Sequence, residues 1–340
     1  MQRRRFPFAA ALLVSGACAL AGAPAAAAEA QIQVTRQYGL PYIPLMVMEH
    51  EQLFEKHLKR LGAGDAKVNW ATMSTTTATI DGLLSGNVSF ASSGITGLLT
   101  LWDKTQGTPN EVKGISGISS FPYPLVTNNP AVKTLKDFSE KDRIAVPAVK
   151  ISVQAIVLQM AAAKAFGVDQ RAALDARTVS MGHPTAAIAV MSKQGDVNAH
   201  FSYPPYSLEE MRTPGVHAVL WANDVTGGPV TTIEVVTTAR VVKEHPKWVE
   251  AWVAAQQEAS DFINKNHREA AQMYLSMTND KKLSVDDLVQ ILADPQVRIG
   301  VTPFNTMVFA KYMHDVGSIK RMPASWKDYF WPVAQGLPGS

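Results

Sequence analysis

Hydroxyls, phenols and one imidazole recur in this chain at one kind of place, where an extended apolar run gives way to a helix. In GNVSFASSGITGLL (Gly86–Leu99), Val88 and Phe90 lead into Ser92, Ser93 and Gly94, and a helix-length apolar segment follows. Two chemistries fit such a junction. Serine is a favoured helix N-cap, and a helix N-terminus also offers unpaired N–H groups and partial positive charge to a polar or anionic guest. The same choice between cap and ligand contact arises at Ser74 in the Ser74–Thr77 run, at Ser152 before VQAIVLQMAAAKAFG, and at His183 beside Pro184. Tyr38 and Tyr42 flank Gly39-Leu40-Pro41, where they either stack on a ligand or shield a hinge; Tyr203 and Tyr206 are split by a proline pair and form either a ligand wall or a surface loop. Lys150 is the cation placed nearest a cleft mouth, with solvent as its other destination, and Arg36 reaches a cleft or pairs with a carboxylate.

The residues of catalysis do not assemble in the same way. The eight histidines are scattered, and the sequence has no His/Glu zinc motif, no nucleophile elbow and no glycine–lysine phosphate loop. Binding without chemistry, without a metal and without a cofactor is the reading these patterns give.

The elements that must position the candidates alternate between strand and helix patterns. QIQVTR starts a strand, and Phe54, Leu58 and Leu61 then mark one helical face. KVNWATM, VSFAS and GISGIS are further strands, each but the last followed by a helix. PLVTNN (Pro124–Asn129) is extended, and the strand–loop–helix unit recurs through RIAV, ARTVSM, VNAHFS and GVHAVLW. VTTIEVVTTARVV is extended; beyond it HPKWVEAWVAAQQEASDFI is a helix with Pro246 in its first turn and Trp252, Ala255, Ala259 and Phe262 on a buried face. Such alternation predicts an α/β fold of layered, largely parallel sheets. In open α/β sheets ligands settle beyond the carboxyl ends of the strands, which is where the candidate residues fall.

Arg3–Arg5, the apolar Phe6–Leu20 and the small residues of APAAAA have the layout of a secretory signal cleaved after Ala28. A twin-arginine variant and a lipid anchor at Cys18 are the other forms of export. The leader holds three of the 32 basic residues and no acidic one, so the mature chain balances 29 against 29 and loses the formal +3. No electrostatic case for nucleic acid remains. The one cysteine leaves as well, excluding a disulfide framework, a thiolate metal site and a cysteine nucleophile in the mature chain. The 312 residues that remain suit two lobes.

Four segments, in order, resemble the substrate-binding proteins of the nitrate/sulfonate/taurine group of ATP-binding-cassette (ABC) importers. GLLSGNVSFASSGITGLLTLWDKTQG is similar to their first-lobe signature, TLKDFSEKDRIAVP to the opening of the second lobe, AIAVMSKQGDVNAHFSYPPY to its later stretch, and ARVVKEHPKWVEAWVAAQQEASDFINKN to a late first-lobe helix. The resemblance implies a type II periplasmic-binding fold, with two lobes, each a central mixed sheet flanked by helices. Residues 29–126 and 232–340 would form lobe one and 127–231 lobe two, with Leu125–Asn129 and Val230–Thr237 as the crossing segments. It further implies an exported, periplasmic, monomeric protein that captures a small anionic or aromatic solute and delivers it to a membrane permease. A secreted enzyme, or one like the pyrimidine-precursor synthase that shares this fold, is the second reading, and an exported sensor domain is the third. Ligand contacts would come from Tyr38, Tyr42, Ser74, Ser92, Ser93, Gly94, Ser152, His183 and Tyr203. Three departures stand near that ligand: Asn198 where the family often has Asp, Pro204 where it has an acidic residue, and Lys150-Ile151-Ser152 in place of Gly-Ser.

Overall fold

A computed structural model describes residues 30–64 and 66–340. The expected leader, with Arg3–Arg5, Cys18 and the expected cleavage after Ala28, lies outside the described residues. The first half of the chain runs β1 (Ala30–Arg36), α1 (Ile43–His50), α2 (Leu53–Arg60), β2 (Ala66–Thr72), α3 (Thr76–Leu84), β3 (Phe90–Gly94), α4 (Ile95–Thr105) and β4 (Val112–Ser120). Then come β5 (Pro124–Thr127), β6 (Ile144–Val146), α5 (Val153–Phe166), β7 (Thr178–Ser180), α6 (His183–Ser192), β8 (Ala199–Phe201), α7 (Tyr206–Arg212), β9 (His217–Trp221) and α8 (Ala222–Thr226). The return runs β10 (Ile233–Thr238), α9 (Ala239–Glu244), α10 (Pro246–Lys265), α11 (His267–Thr278), α12 (Val285–Leu292), β11 (Arg298–Ile299), α13 (Met307–Asp315) and α14 (Pro332–Gln335).

Two mixed sheets result, in the orders β11-β4-β10-β3-β1-β2 and β7-β6-β8-β5-β9. Edge strand β11 aside, they share one plan: second strand, first, third, one antiparallel insert, fourth. The insert is β10 in the first sheet, antiparallel to β3 and β4, and β5 in the second, antiparallel to β8 and β9. Each insert belongs to a segment that has just crossed between the sheets. The fold is the α/β pair of mixed, helix-flanked sheets that the resemblance implies; the alternation alone predicts largely parallel sheets, and the antiparallel inserts make them mixed. The crossings themselves sit earlier than expected. Pro124–Thr127 already pairs in the second sheet, so the outgoing crossing is Phe121–Tyr123, and the return is completed before Ile233. An alternating apolar run cannot tell a crossing from the strand it feeds, since both are extended. For the same reason Ala239–Val242 reads as extended in sequence but lies in helix α9, which the Thr238 side chain starts by capping Val241 N.

The main core lies between the first sheet and α10. Phe90 stacks on Trp252 with centroids 4.8 Å apart, and Phe54 meets both edge-on at 5.5 and 5.0 Å. The buried face of α10 is Trp252, Ala255, Ala259 and Ile263; Phe262, expected there, is only partly buried because the i+4 step from Ala259 selects Ile263. Gln256, also on that face, accepts from Ser116 Oγ (2.6 Å) and Trp252 Nε1 (3.0 Å) and donates to the Gly117 carbonyl. These bonds fix α10 across the middle strands and leave the strand ends free.

Candidate functional site

The carboxyl ends of both sheets face one another, and five helices begin there. Tyr42 caps α1, Thr76 opens α3, Gly94 caps α4, Ser152 caps α5 and His183 opens α6, and all five line one small cavity. Three of these helices spring from the first sheet and two from the second. The cavity walls are completed by Gln37, Gln154 and Tyr203, and among the described residues no lysine, arginine or carboxylate lines it. Its empty volume is about 260 Å³ and narrow, with room for the centre of about one water molecule. Five N-termini converge their partial positive charges on this space, a field that favours an anion. A second, open groove of about 740 Å³ lies outside it, bordered by Arg36, Tyr38, Tyr206 and Tyr274.

The candidates named from sequence divide between these places. Tyr42, Gly94, Ser152, His183 and Tyr203 meet at the cavity. Ser92 and Ser93 do not. They lie in the body of β3, where successive side chains point to opposite faces. Ser93 Oγ donates to the Gly94 carbonyl (3.1 Å), and Ser92 Oγ is buried without a partner. The helix starts one residue later than a serine cap requires, so Gly94 caps α4. Ser74 is exposed and Thr76, two residues on, takes its place at the cavity. Tyr38 is 39% exposed and borders the outer groove with Tyr206. Lys150 is exposed in a left-handed turn (φ 64°), and Arg36 is held by Glu49. Asn198 is structural, donating to Asp142 (2.7 Å) and accepting from Arg143 N (3.1 Å).

Several contributors carry no sequence signal of their own. Glu234 is fully buried in β10 with neither oxygen hydrogen-bonded, and burial pushes its carboxyl well above the usual carboxylate range. Tyr42 and Tyr203 are raised by burial first and by the nearby Glu234 charge as well. Tyr203 Oη donates to Thr232 Oγ1 (3.1 Å) and its ring meets Tyr123 edge-on at 4.7 Å. On the second-sheet wall, beside Tyr203, His183 Nδ1 is 2.8 Å from His200 Nε2, and His200 Nδ1 is 2.8 Å from Glu210 Oε1. Burial, and then His200, hold the His183 imidazole well below its ordinary value. A histidine on a short strand and a glutamate within SLEEM look unremarkable in sequence. They meet because β8 and α7 fold back beside α6.

The two halves are in contact around the cavity. Leu40 N donates to the Pro204 carbonyl (2.8 Å) and Thr96 Oγ1 to the Ile151 carbonyl (2.5 Å). Two glycines permit this approach: a Cβ on Gly182 would stand 2.8 Å from the Ser74 carbonyl oxygen, and one on Gly94 2.7 Å from Val153 Cγ2. At the rim, Lys282 pairs with Glu209 (3.0 Å) and Arg212 with Asp287 (2.5 Å). Among the described residues no group of three or more His, Cys, Asp or Glu is arranged to hold a metal ion, and no helix is long and apolar enough to cross a membrane.

With that geometry in place, comparison with known proteins adds a family and a fold. The family model described as "NMT1-like family" matches residues 26–276. No curated protein sequence matches significantly. The alkanesulfonate-binding protein SsuA from Xanthomonas axonopodis pv. citri, bound to MOPS, superposes with a TM-score of 0.67 at 15% identity, covering 90% of this chain and 99% of that one. The periplasmic aliphatic sulphonate-binding protein SsuA from Escherichia coli gives 0.63 at 14% identity, over 90% and 98%. The periplasmic nitrate-binding protein NrtA from Synechocystis PCC 6803 gives 0.66 at 14%, over 89% and 84%. At such identities the likeness establishes the periplasmic-binding-protein fold.

Proposed function

Because this chain belongs to the NMT1-like family, we propose that it is the solute-binding component of an ABC-type importer, capturing a small anion between two lobes and presenting it to a membrane permease. Lobe one would comprise 29–123 and 232–340 and lobe two 124–231, in a monomer exported to the periplasm after loss of a leader ending at Ala28. The observation that carries the reading is the convergence of five helix N-termini on one interlobe cavity lined by no charged lysine, arginine or carboxylate. Backbone N–H groups and helix dipoles can replace the hydration of an anion without committing a counter-ion. Closure follows from the same geometry. A ligand that touches N-termini from both sheets makes its full set of contacts only when the halves meet, so its differential affinity draws the population closed. The binding proteins for alkanesulfonates and nitrate that share the fold make sulfonates and nitrate the first candidates.

The test is a thermal-unfolding screen of purified protein against nitrate, methanesulfonate, taurine, acetate and benzoate, paired with cationic and neutral solutes of similar size. A ligand that binds only the native state at a hundredfold excess over Kd stabilises it by about 2.7 kcal/mol. The reading expects a rise in Tm with an anion and recovery of that anion unchanged after incubation. A panel without any shift, or a solute returned chemically altered, would overturn it.

A further inference from the structure

The cavity is lined by no lysine or arginine among the described residues, so any selectivity for an anion must come from other groups, and the second-sheet wall supplies a candidate. Three buried groups form a chain that ends at the cavity: Glu210 Oε1 to His200 Nδ1 at 2.8 Å, and His200 Nε2 to His183 Nδ1 at 2.8 Å. Glu210 and His200 are both 0% exposed, and Glu210 Oε2 has no partner. The remaining ring nitrogen, His183 Nε2, lies on the cavity wall 3.5 Å from the Gln154 amide nitrogen, at the outer limit of a hydrogen bond; an amide nitrogen donates, so Gln154 faces a bare Nε2 in this orientation and an Nε2–H once its amide turns over.

Each of the two short contacts must hold one hydrogen, because facing lone pairs repel. That condition leaves two proton counts. With Glu210 ionised and a single hydrogen on His200 (on Nδ1), His200 Nε2 is bare and accepts from His183 Nδ1–H; a neutral His183 then has a bare Nε2, and the chain carries one negative charge. With one proton more, His200 holds hydrogens on both nitrogens, His183 Nδ1 accepts, and His183 carries its hydrogen on Nε2. Shifting that extra proton onto Glu210 or His183 leaves Nε2–H in place. The proton count alone therefore decides whether the cavity meets a donor or an acceptor. The charge-balanced count is the favoured one, since the other leaves a fully buried carboxylate with no counter-charge.

We propose that Glu210 and His200 are positioning residues that hold His183 Nε2–H toward the cavity as a donor, committing the site to an oxyanion and excluding ligands that present N–H groups or positive charge. This rests on the solute-binding reading above and adds the source of its selectivity. When the chain gives up one proton from His183 Nε2 to solvent, the nitrogen becomes an acceptor and the site gains a negative charge. Oxyanion affinity then falls tenfold per pH unit above that step, the slope for one linked proton. The other titratable groups facing the chain are the phenols of Tyr203 and Tyr206, with ring centroids 5.2 and 6.3 Å from His183, and Tyr42 across the cavity; burial raises all three away from this step. Beyond them lie Glu234 beside Tyr42 and Tyr203, Glu209 and Asp280 beside Tyr206, and exposed Lys150 at the start of α5.

The test is 15N NMR of histidine-labelled, ligand-free full-length protein, titrated from acid to alkaline pH, because bare and protonated ring nitrogens resonate far apart. The expected result is one concerted step, in which His200 passes from imidazolium to neutral while His183 stays neutral and exchanges Nε2–H for Nδ1–H. Glu210→Gln should abolish the step, since an amide that can turn over serves either polarity without a proton; if that variant does not fold, the wild-type titration decides alone. A His183 that keeps one tautomer throughout, or two rings that titrate independently, overturns the proposal. No anion is needed for this experiment, so a failed ligand screen counts against the proposed function and leaves the relay standing.

Discussion

Replacing Gly182 with alanine should separate closure from folding. The residue has an ordinary backbone conformation (φ −69°, ψ 147°) that alanine adopts freely, but its new Cβ would stand 2.8 Å from the Ser74 carbonyl oxygen of the facing half. Backbone does not yield as a flexible side chain does. Relief comes from widening the cleft by a few tenths of an ångström, which lengthens the bonds from the α3 and α6 N-termini to any shared ligand. Forcing an extra methyl into a packed contact costs about 1–3 kcal/mol. Here that cost falls only on the closed form, so affinity should drop by roughly 5- to 150-fold. The ligand-free Tm should move only as far as an N-cap change allows, at most about 1 kcal/mol. The assay is isothermal titration with the anion that raises Tm in the screen, alongside calorimetric unfolding without it. Gly300→Ala is the control, because a Cβ there meets nothing within 4 Å. Unchanged affinity in Gly182→Ala with normal folding would refute the claim that the ligand is gripped by both halves at once.

Other outcomes follow from the same structure. Ser93→Ala should leave affinity unchanged, because its hydroxyl serves the Gly94 carbonyl inside β3; titration calorimetry checks this. Glu234→Gln should relieve an alkaline weakness: the folded carboxyl is raised, so the native state holds a proton that the unfolded chain has lost, and stability falls as pH rises through and above the ordinary carboxylate range, at up to about 1.4 kcal/mol per pH unit. Denaturant unfolding across pH should show the wild type losing ground while the variant does not. His183 works in the opposite sense. Its folded value is depressed, so stability is lost as pH falls below the ordinary imidazole value of about 6.5, and His183→Gln should flatten that acid limb in the same experiment. Trp252→Ala removes the hub of the first-sheet core and should cost about 3–5 kcal/mol in unfolding free energy.

The fold was legible in the alternation of strand and helix patterns, and about half of the cavity's lining with it, because where strands end decides where such a cavity forms. Tyr42, Gly94, Ser152, His183 and Tyr203 sit at junctions visible in the sequence. The misses share a cause. Whether Ser93 or Gly94 caps α4, and whether Ser74 or Thr76 reaches the cavity, turns on one or two residues of boundary, and a one-residue shift along β3 reverses the face a side chain presents. Glu234, His200 and Glu210 were invisible for a different reason. Their significance comes from burial and from neighbours far apart in sequence, such as the Tyr42 that senses Glu234, and neither is written in local pattern. Lys150, a cation near a cleft mouth whose commoner destination is solvent, stands exposed in its left-handed turn.

A crystal structure of the protein with its stabilising anion fixes where the ligand sits. The anion should lie inside the narrow cavity, within hydrogen-bond distance of His183 Nε2 and of backbone N–H groups at the starts of helices from both sheets. An anion found instead in the outer groove beside Arg36, or on Lys282 at the rim, with the cavity unchanged, would contradict it.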